Sequence, residues 1–192
     1  MIIKIIIGIG NIGSQYNNTR HNFGHKYIQL LSKKYQVPLK KNHLLSGYIG
    51  KLKISDNITY LFIPNSYMNN SGQAVFKCVK YYQLFLQEIL IVHDELDLIP
   101  GTVRLKLGKK NYTSHRGIKD IIEKLNNNFN FYRLRIGIGR PQNNNKINDF
   151  VLSKPSIYEM NKINFIINKT ISYTEDIILG NFSKVMNKLH TI

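Results

Sequence analysis

The sequence predicts one α/β domain over residues 1–192, built on a twisted, mostly parallel mixed sheet that is flanked by helices and followed by C-terminal helices. Runs of β-branched apolar residues alternate along the chain with segments whose apolar residues recur at helical spacing. No proline- or serine-rich linker and no internal repeat divides the 192 residues, a length that suits a single domain. With 43% hydrophobic residues, the chain can fill one core.

The first strand and helix are the most strongly patterned elements. Residues 2–8 are almost all β-branched and apolar, which indicates a strand buried on both faces at the centre of a sheet. A helix is predicted from about residue 22 to residue 35, because its apolar residues follow helical spacing and Val37-Pro38 ends it. His21 then lies at the amino end of that helix.

Two strands and a second helix follow. Strands are predicted at 47–54 and 58–63, joined by the turn-forming Ser55-Asp56-Asn57. Ser71 is predicted to cap a helix. The apolar face of this helix consists of Ala74, Val75, Cys78, Val79 and Tyr82.

The second half of the chain continues the alternation of strands and helices. The predicted elements are a buried strand at 88–93, an alternating strand at 103–107 with one basic solvated face, a short helix at 117–125, a strand at 132–139, a polar loop at 142–148, and one or two helices from residue 157 onward.

The composition restricts the function classes. The 27 Lys and Arg residues outnumber the 11 Asp and Glu residues, so the net charge of +16 indicates a polyanionic partner such as nucleic acid. The lone Cys78 excludes an internal disulfide and a thiolate zinc site, and no HExxH motif occurs, so no metal is expected. Apolar runs are far shorter than the roughly 20 residues of a membrane span, and residues 1–7 resemble a core strand rather than a signal peptide. A cytoplasmic protein is expected.

The segment Gly8-Ile9-Gly10-Asn11-Ile12-Gly13 matches the GxGxxG pattern of dinucleotide-binding proteins. The polar residues 14–19 show no helical periodicity, and the first acidic residue of the chain is Asp56, so the helix and the acid that the pattern requires are missing. The glycines are therefore expected to let the backbone turn and present Asn11 at the end of the first strand.

Four polar side chains are predicted to meet at the carboxyl ends of the strands, where open α/β sheets bind ligands. They are Asn11, His21, Asn69 and Asp94. A histidine beside a carboxylate suits general base catalysis. The alternative is that His21 and Asp94 form a surface pair and that both asparagines only turn loops.

Five segments resemble the bacterial peptidyl-tRNA hydrolase family in order and spacing over nearly the whole chain. They are Gly8-Ile9-Gly10-Asn11-Ile12-Gly13 with Tyr16, Thr19-Arg20-His21-Asn22, Tyr67-Met68-Asn69-Asn70-Ser71-Gly72, His93-Asp94-Glu95-Leu96-Asp97, and Phe131-Tyr132-Arg133-Leu134-Arg135-Ile136-Gly137-Ile138-Gly139-Arg140-Pro141.

The resemblance implies metal-independent hydrolysis of the ester between an N-blocked peptide and the 3′ ribose of tRNA, without a cofactor. It implies that His21 takes a proton from water and that Asp94 orients His21. Asn11 would contact the peptide, and Asn69 would position the substrate and stabilise the oxyanion.

The family also implies how tRNA is held, and that the protein is a monomer. Tyr16 and Tyr67 would line the path of the substrate, and Met68 would pack beneath it. Lys106 and Arg135 match the clamp for the tRNA 5′ phosphate, and Lys109 and Lys110 follow in the same basic region.

One departure from the family lies in Tyr112-Thr113-Ser114-His115-Arg116-Gly117. Arg116 replaces the asparagine of the family's His-Asn-Gly, and arginine can donate but cannot accept a hydrogen bond. Reduced turnover is therefore expected, with Arg116 binding the ribose-phosphate end. This departure and the charge motivate the alternative function, a weakened or inactive RNA-binding module on the same fold.

Overall fold

A computed structural model of the chain describes residues 2–108, 113–143 and 146–190. These residues form one seven-stranded sheet with helices on both faces. The strands are β1 (Ile5–Gly8), β2 (Lys40–Asn42), β3 (Gly47–Ile54), β4 (Asn57–Pro64), β5 (Ile89–Glu95), β6 (Val103–Leu107) and β7 (Tyr132–Gly137). The helices are α1 (Phe23–Lys34), α2 (Ser71–Tyr81), α3 (Arg116–Lys124), α4 (Ile147–Leu152), α5 (Ile157–Ile171), α6 (Thr174–Ile178) and α7 (Phe182–His190).

The strand order is β2-β3-β4-β1-β5-β7-β6, with β1 in the middle. Strands β4, β1, β5 and β7 are parallel, whereas β3 and β6 run antiparallel to their neighbours. The predicted α/β fold with a mixed sheet is thereby confirmed. Because β1 and β5 are adjacent and parallel, their carboxyl ends lie at the same edge of the sheet.

The sheet separates two apolar layers. On one face, Ile6 and Val92 pack with side chains of α1, α5, α6 and α7. On the other face, Ile7 and Ile91 pack with side chains of α2 and α3. Strands β1 and β5 are covered on both faces, which explains why β1 and residues 89–92 of β5 are apolar.

Two elements differ from the sequence-based expectation for local reasons. Ser71 is the first residue of α2 rather than its cap, and its hydroxyl donates to the Met68 carbonyl at 2.9 Å. The predicted loop 142–148 contains the start of α4 at Ile147, a six-residue helix too short to show a helical period.

The carboxy-terminal region folds into three helices rather than one or two. The Thr174 hydroxyl bonds the Ile171 carbonyl where α5 gives way to α6. The short edge strand β2, which the sequence did not predict, pairs with β3. Every helix in the described ranges is too short or too polar to cross a bilayer.

Candidate active site

Close packing of α1 on β1 brings His21 to the sheet edge. A Cβ atom on Gly24 would lie 2.3 Å from the Ile9 carbonyl oxygen and 2.4 Å from that of Val92. A Cβ atom on Gly8 would lie 2.1 Å from the Gly24 carbonyl oxygen. Only glycine permits this approach, so the first glycine of the GxGxxG pattern serves helix packing rather than nucleotide binding.

His21 and Asp94 are in direct contact. Nδ1 of His21 lies 3.0 Å from Oδ1 and 2.9 Å from Oδ2 of Asp94. The Asp94 side chain is only 1% exposed, while that of His21 is 12% exposed. The pair therefore consists of a buried carboxylate and a ring that reaches the surface of the cleft, which contradicts the surface-pair alternative.

His115 is a second partner of the same carboxylate. Its Nε2 lies 3.0 Å from Oδ1 of Asp94, and its Nδ1 accepts a hydrogen bond from the Ile118 amide at 3.3 Å as the N-cap of α3. Because Nδ1 accepts, the ring proton must sit on Nε2. His115 is thus a neutral donor to Asp94.

The protonation of Asp94 follows from its partners. Burial by itself would raise the pKa of the carboxyl, but electrostatic attraction and hydrogen bonds from the rings of His21 and His115 outweigh burial and hold the pKa of Asp94 well below its usual value. An ionised carboxylate only accepts, so Nδ1 of His21 carries a proton. In the neutral form of the ring the lone pair is then on Nε2, which is the arrangement that a general base requires.

His93 is fully buried and lies beside the site without joining it. Its Nδ1 is 2.6 Å from the Asp94 carbonyl, and its ring centroid is 4.8 Å from that of His115. Burial, together with His115, lowers the pKa of His93 well below the usual value. His93 is therefore a neutral packing partner of His115.

Asn11 is fixed on three sides. The backbone N–H of Asn11 donates to Oδ1 of Asn22, and Nδ2 of Asn22 donates to the backbone carbonyl of Asn11, both at 2.8 Å. Its Oδ1 accepts from the Met68 amide at 2.8 Å. With the backbone and Oδ1 engaged, the Nδ2 group of Asn11 remains to donate to a ligand.

A cavity of about 360 Å³ opens beside His21. Tyr16 and Tyr67 form one of its walls and meet edge to face, with ring centroids 6.4 Å apart. The other lining residues are Asn11, Met68, Asn69, Arg116, Asn148, Val151 and Leu152. Seven of the residues that the sequence singled out therefore meet at one cavity, and Asp94 lies behind His21.

Arg116 connects this cavity with a smaller one of about 50 Å³ that His21, Asp94 and His115 also line. Its side chain is exposed at the first position of α3. Arg116 and His21 line the same two cavities, and the guanidinium can donate to an anionic ligand there.

The basic residues of β6 and β7 lie outside this cavity. In the antiparallel register Arg104 faces Arg135 and Lys106 faces Arg133, so Lys106 and Arg135 are diagonal neighbours on one face. Nε of Arg135 lies 2.7 Å from Oε2 of the buried Glu95. No sequence pattern predicted this ion pair. Lys109, Lys110 and Tyr112 lie outside the described residues.

His21, Asp94 and His115 also bring three potential metal ligands within 4.8 Å of one another. The hydrogen bond that Nδ1 of His115 accepts requires the proton on Nε2, the atom that would have to bind the metal. The donor set therefore suits a hydrogen-bonded triad better than a metal centre.

Sequence reasoning did not assign site roles to several residues. Asn22 and His115 lie within the quoted motifs, but their roles depend on partners 11 and 21 residues away along the chain. Asn148, Val151 and Leu152 belong to the unpredicted α4. For Asn22, the only local signal of a site role was its position next to His21, the candidate base.

A family model, two relatives and a solved structure that are similar to this chain carry the same activity in their names. The family model described as peptidyl-tRNA hydrolase matches residues 5–192. The chain is 43% identical to a peptidyl-tRNA hydrolase of Marinomonas sp. over 188 residues, covering 98% of this chain and 96% of that protein. It is 42% identical to that of Proteus mirabilis, covering 98% and 97%. A crystal structure of peptidyl-tRNA hydrolase from Acinetobacter baumannii superposes with a TM-score of 0.93 at 37% identity, covering 97% of this chain and 94% of that chain.

Proposed function

The chain belongs to the peptidyl-tRNA hydrolase family and is an enzyme of this class, and we propose that it hydrolyses the ester between an N-blocked peptide and the 3′ ribose of tRNA with His21 as general base. The observation that carries the assignment is the contact of Nδ1 of His21 with the buried, ionised Asp94. This contact leaves Nε2 to take a proton.

In the proposed reaction, water attacks the ester carbonyl carbon while Nε2 of His21 removes a proton from it. Asp94 orients the ring and stabilises the imidazolium that forms. The 3′ oxygen of the ribose then leaves with the proton, which yields a free peptide and an intact tRNA. His115 supports the carboxylate from its other side at 3.0 Å.

The two asparagines of the cavity bind the acyl group in this proposal. Asn11, fixed by Asn22 and the Met68 amide, offers Nδ2 to the peptide carbonyl next to the ester. Asn69 is exposed at the cavity and donates to the developing oxyanion. A free α-ammonium would meet these amide donors unfavourably, which supports discrimination for N-blocked substrates.

The terminal nucleotide is proposed to lie between Tyr16 and Tyr67, because aromatic rings stack on bases of any identity. Arg116 forms an ion pair with the adjacent phosphate. Its positive charge takes the place of the side-chain amide of the family's asparagine. Farther out, Lys106 and Arg135 bind the 5′ phosphate. Nε of Arg135 donates to Glu95, so the two terminal nitrogens of the Arg135 guanidinium can contact the phosphate.

The deciding experiment measures release of a labelled N-acetylaminoacyl group from tRNA in the presence of EDTA. Multiple turnover is expected, with free aminoacyl-tRNA as the control that stays intact. Absence of release at stoichiometric protein would instead support the RNA-binding module, which family membership and the complete set of His21, Asp94, Asn11 and Asn69 do not favour.

We also propose a monomer with one domain over residues 1–192 that acts in the cytoplasm on translation products. The lone buried Cys78 is consistent with a reducing compartment.

A further inference from the structure

A second cavity, of about 400 Å³, lies on the other side of Asn11 from the cavity that contains His21. Two chain segments border both cavities. In the loop after β1, Asn17 lines the second cavity and Tyr16 lines the cavity that contains His21. After β4, Asn65 lines the second cavity and Tyr67 lines the cavity that contains His21. Asn11 lines both cavities, so the two cavities are neighbours with this residue between them.

The chemistry of the second cavity differs from that of the surrounding surface. The chain has a net charge of +16, yet none of the described lining residues is a lysine, an arginine or an acid. A site without charged groups does not suit a phosphate backbone. Its ligand should be neutral.

The lining instead matches an extended peptide. Asn17, Gln29 and Asn65 supply side-chain amides that can both donate to and accept from backbone groups. Ile12, Leu39 and Ile63 supply apolar surface for side chains. This combination of a few polar groups with apolar walls is typical of a binding pocket.

His25 adds a polar group without a partner. Its ring packs against Gly10, where an added Cβ would lie 2.8–2.9 Å from three ring atoms. Among the described residues its buried Nε2 has no hydrogen-bond partner. Burial lowers the pKa of this ring to about 4, so it lines the cavity as a neutral imidazole.

From this arrangement we infer that the second cavity is a subsite for the part of the peptide that precedes the esterified residue, with Asn11 at the crossing point. The inference rests on the proposed hydrolysis of peptidyl-tRNA. An extended chain advances about 3.3–3.6 Å per residue, so the three residues that precede the esterified one in a tetrapeptide add roughly 10 Å of chain. A single blocked amino acid does not reach the subsite.

The test compares two substrates that share the tRNA and the esterified alanine, N-acetylalanyl-tRNA and N-acetyl-tetraalanyl-tRNA. The variant Gln29→Trp fills the second cavity from α1, Asn65→Ala removes an amide, and Asn168→Trp on the exposed face of α5 is the matched control. We expect Gln29→Trp to lower kcat/KM for the tetrapeptide substrate tenfold or more and Asn65→Ala to lower it threefold or more. Both variants should keep kcat/KM for the single-residue substrate within twofold, and Asn168→Trp should keep both values.

Unchanged hydrolysis of the tetrapeptide substrate by Gln29→Trp and Asn65→Ala would overturn the subsite. Equal losses on both substrates, or weaker binding of deacylated tRNA, would also overturn it, because the cavity would then serve the fold or the RNA. These outcomes leave the proposed function intact as long as the unmodified protein hydrolyses the single-residue substrate. The proposed function fails only if the unmodified protein cleaves neither substrate.

Discussion

Nε2 of His115 lies 3.0 Å from Oδ1 of Asp94, on the carboxylate that also binds His21. The buried acid therefore has a donor on each side, and the neutral His115 ring is itself fixed by the first turn of α3. The proposed general base thus depends on two helices, α1 and α3, that pack on opposite faces of the sheet.

Replacement of the general base gives the most direct prediction. His21→Ala should lower kcat for N-acetylaminoacyl-tRNA by about 10²–10⁴-fold, because the water loses its proton acceptor. Affinity for tRNA should stay within a few fold. His43→Ala, at an exposed histidine outside the cavity, is the control and should keep full activity. A His21→Ala variant with normal kcat would rule out the base assignment.

The buried carboxylate predicts a pH dependence of stability. Because the folded protein holds the pKa of Asp94 below its usual value, its ionised form stabilises the fold above the unfolded pKa of about 3.9, and this contribution is lost as the pH falls. The difference in unfolding free energy between the unmodified protein and Asp94→Asn should be present at pH 5, above the unfolded pKa of the carboxyl. It should then narrow on acidification by at most about 1.4 kcal/mol per pH unit.

Urea denaturation across this pH series measures the difference. If the gap between the two proteins stays constant down to pH 3, or widens, the carboxylate is not stabilised in the way the structure indicates.

Arg116 gives a prediction that is particular to this chain. Arg116→Asn should raise kcat up to about tenfold, since an amide that accepts as well as donates is worth about one hydrogen bond to the water or substrate. It should also weaken tRNA binding and reduce the salt dependence by about one phosphate contact. Single-turnover and binding measurements on the same tRNA separate the two effects. If neither value changes, Arg116 does not touch the substrate.

Lys106 is the cleaner test of the phosphate clamp, because Arg135→Ala would also leave the buried Glu95 without its partner. Lys106→Ala should weaken tRNA binding uniformly and reduce the salt slope by about one phosphate contact. Lys51→Ala, on the exposed surface of β3 toward the other end of the sheet, is the charge-matched control. Identical salt slopes for the two variants would remove Lys106 from the clamp.

Arg20 connects the His21 turn to the wall of the cavity. Its guanidinium donates to Ser153 at 2.7 Å and to Glu159 at 3.0 Å, and it lies 4.1 Å from the ring centroid of Phe150. Arg20→Ala should lower the free energy of unfolding by about 2 kcal/mol, because it removes a buried guanidinium together with its hydrogen bonds and its ion pair to the partly exposed Glu159.

The exposed ion pair of Arg140 with Asp97 supplies the comparison for Arg20. Arg140→Ala should cost no more than about 1 kcal/mol in the same urea titration. Equal losses for both variants would show that burial of Arg20 contributes nothing.

The elements predicted most accurately are those whose signal lies in neighbouring residues. The helix predicted over 22–35 forms as Phe23–Lys34, and strand 47–54 forms with the same bounds, because periodic apolar residues must face a core. Local signals were weakest where the element was short. The six residues of α4 and the three of β2 are held by tertiary contacts and escaped prediction.

The residue chemistry available at the site was readable from the chain: a histidine, an aspartate and two asparagines following predicted strands, in motifs that resemble one family. Their partners were not readable, because His21 and Asp94 are 73 positions apart and His115 and Asp94 are 21 apart. The tertiary structure decides which atoms donate and whether Asp94 is buried. It also decides that Asn11 borders a second cavity without charged lining residues. Periodicity and composition act between near neighbours, whereas hydrogen bonds and desolvation act between whatever groups the packed fold brings together.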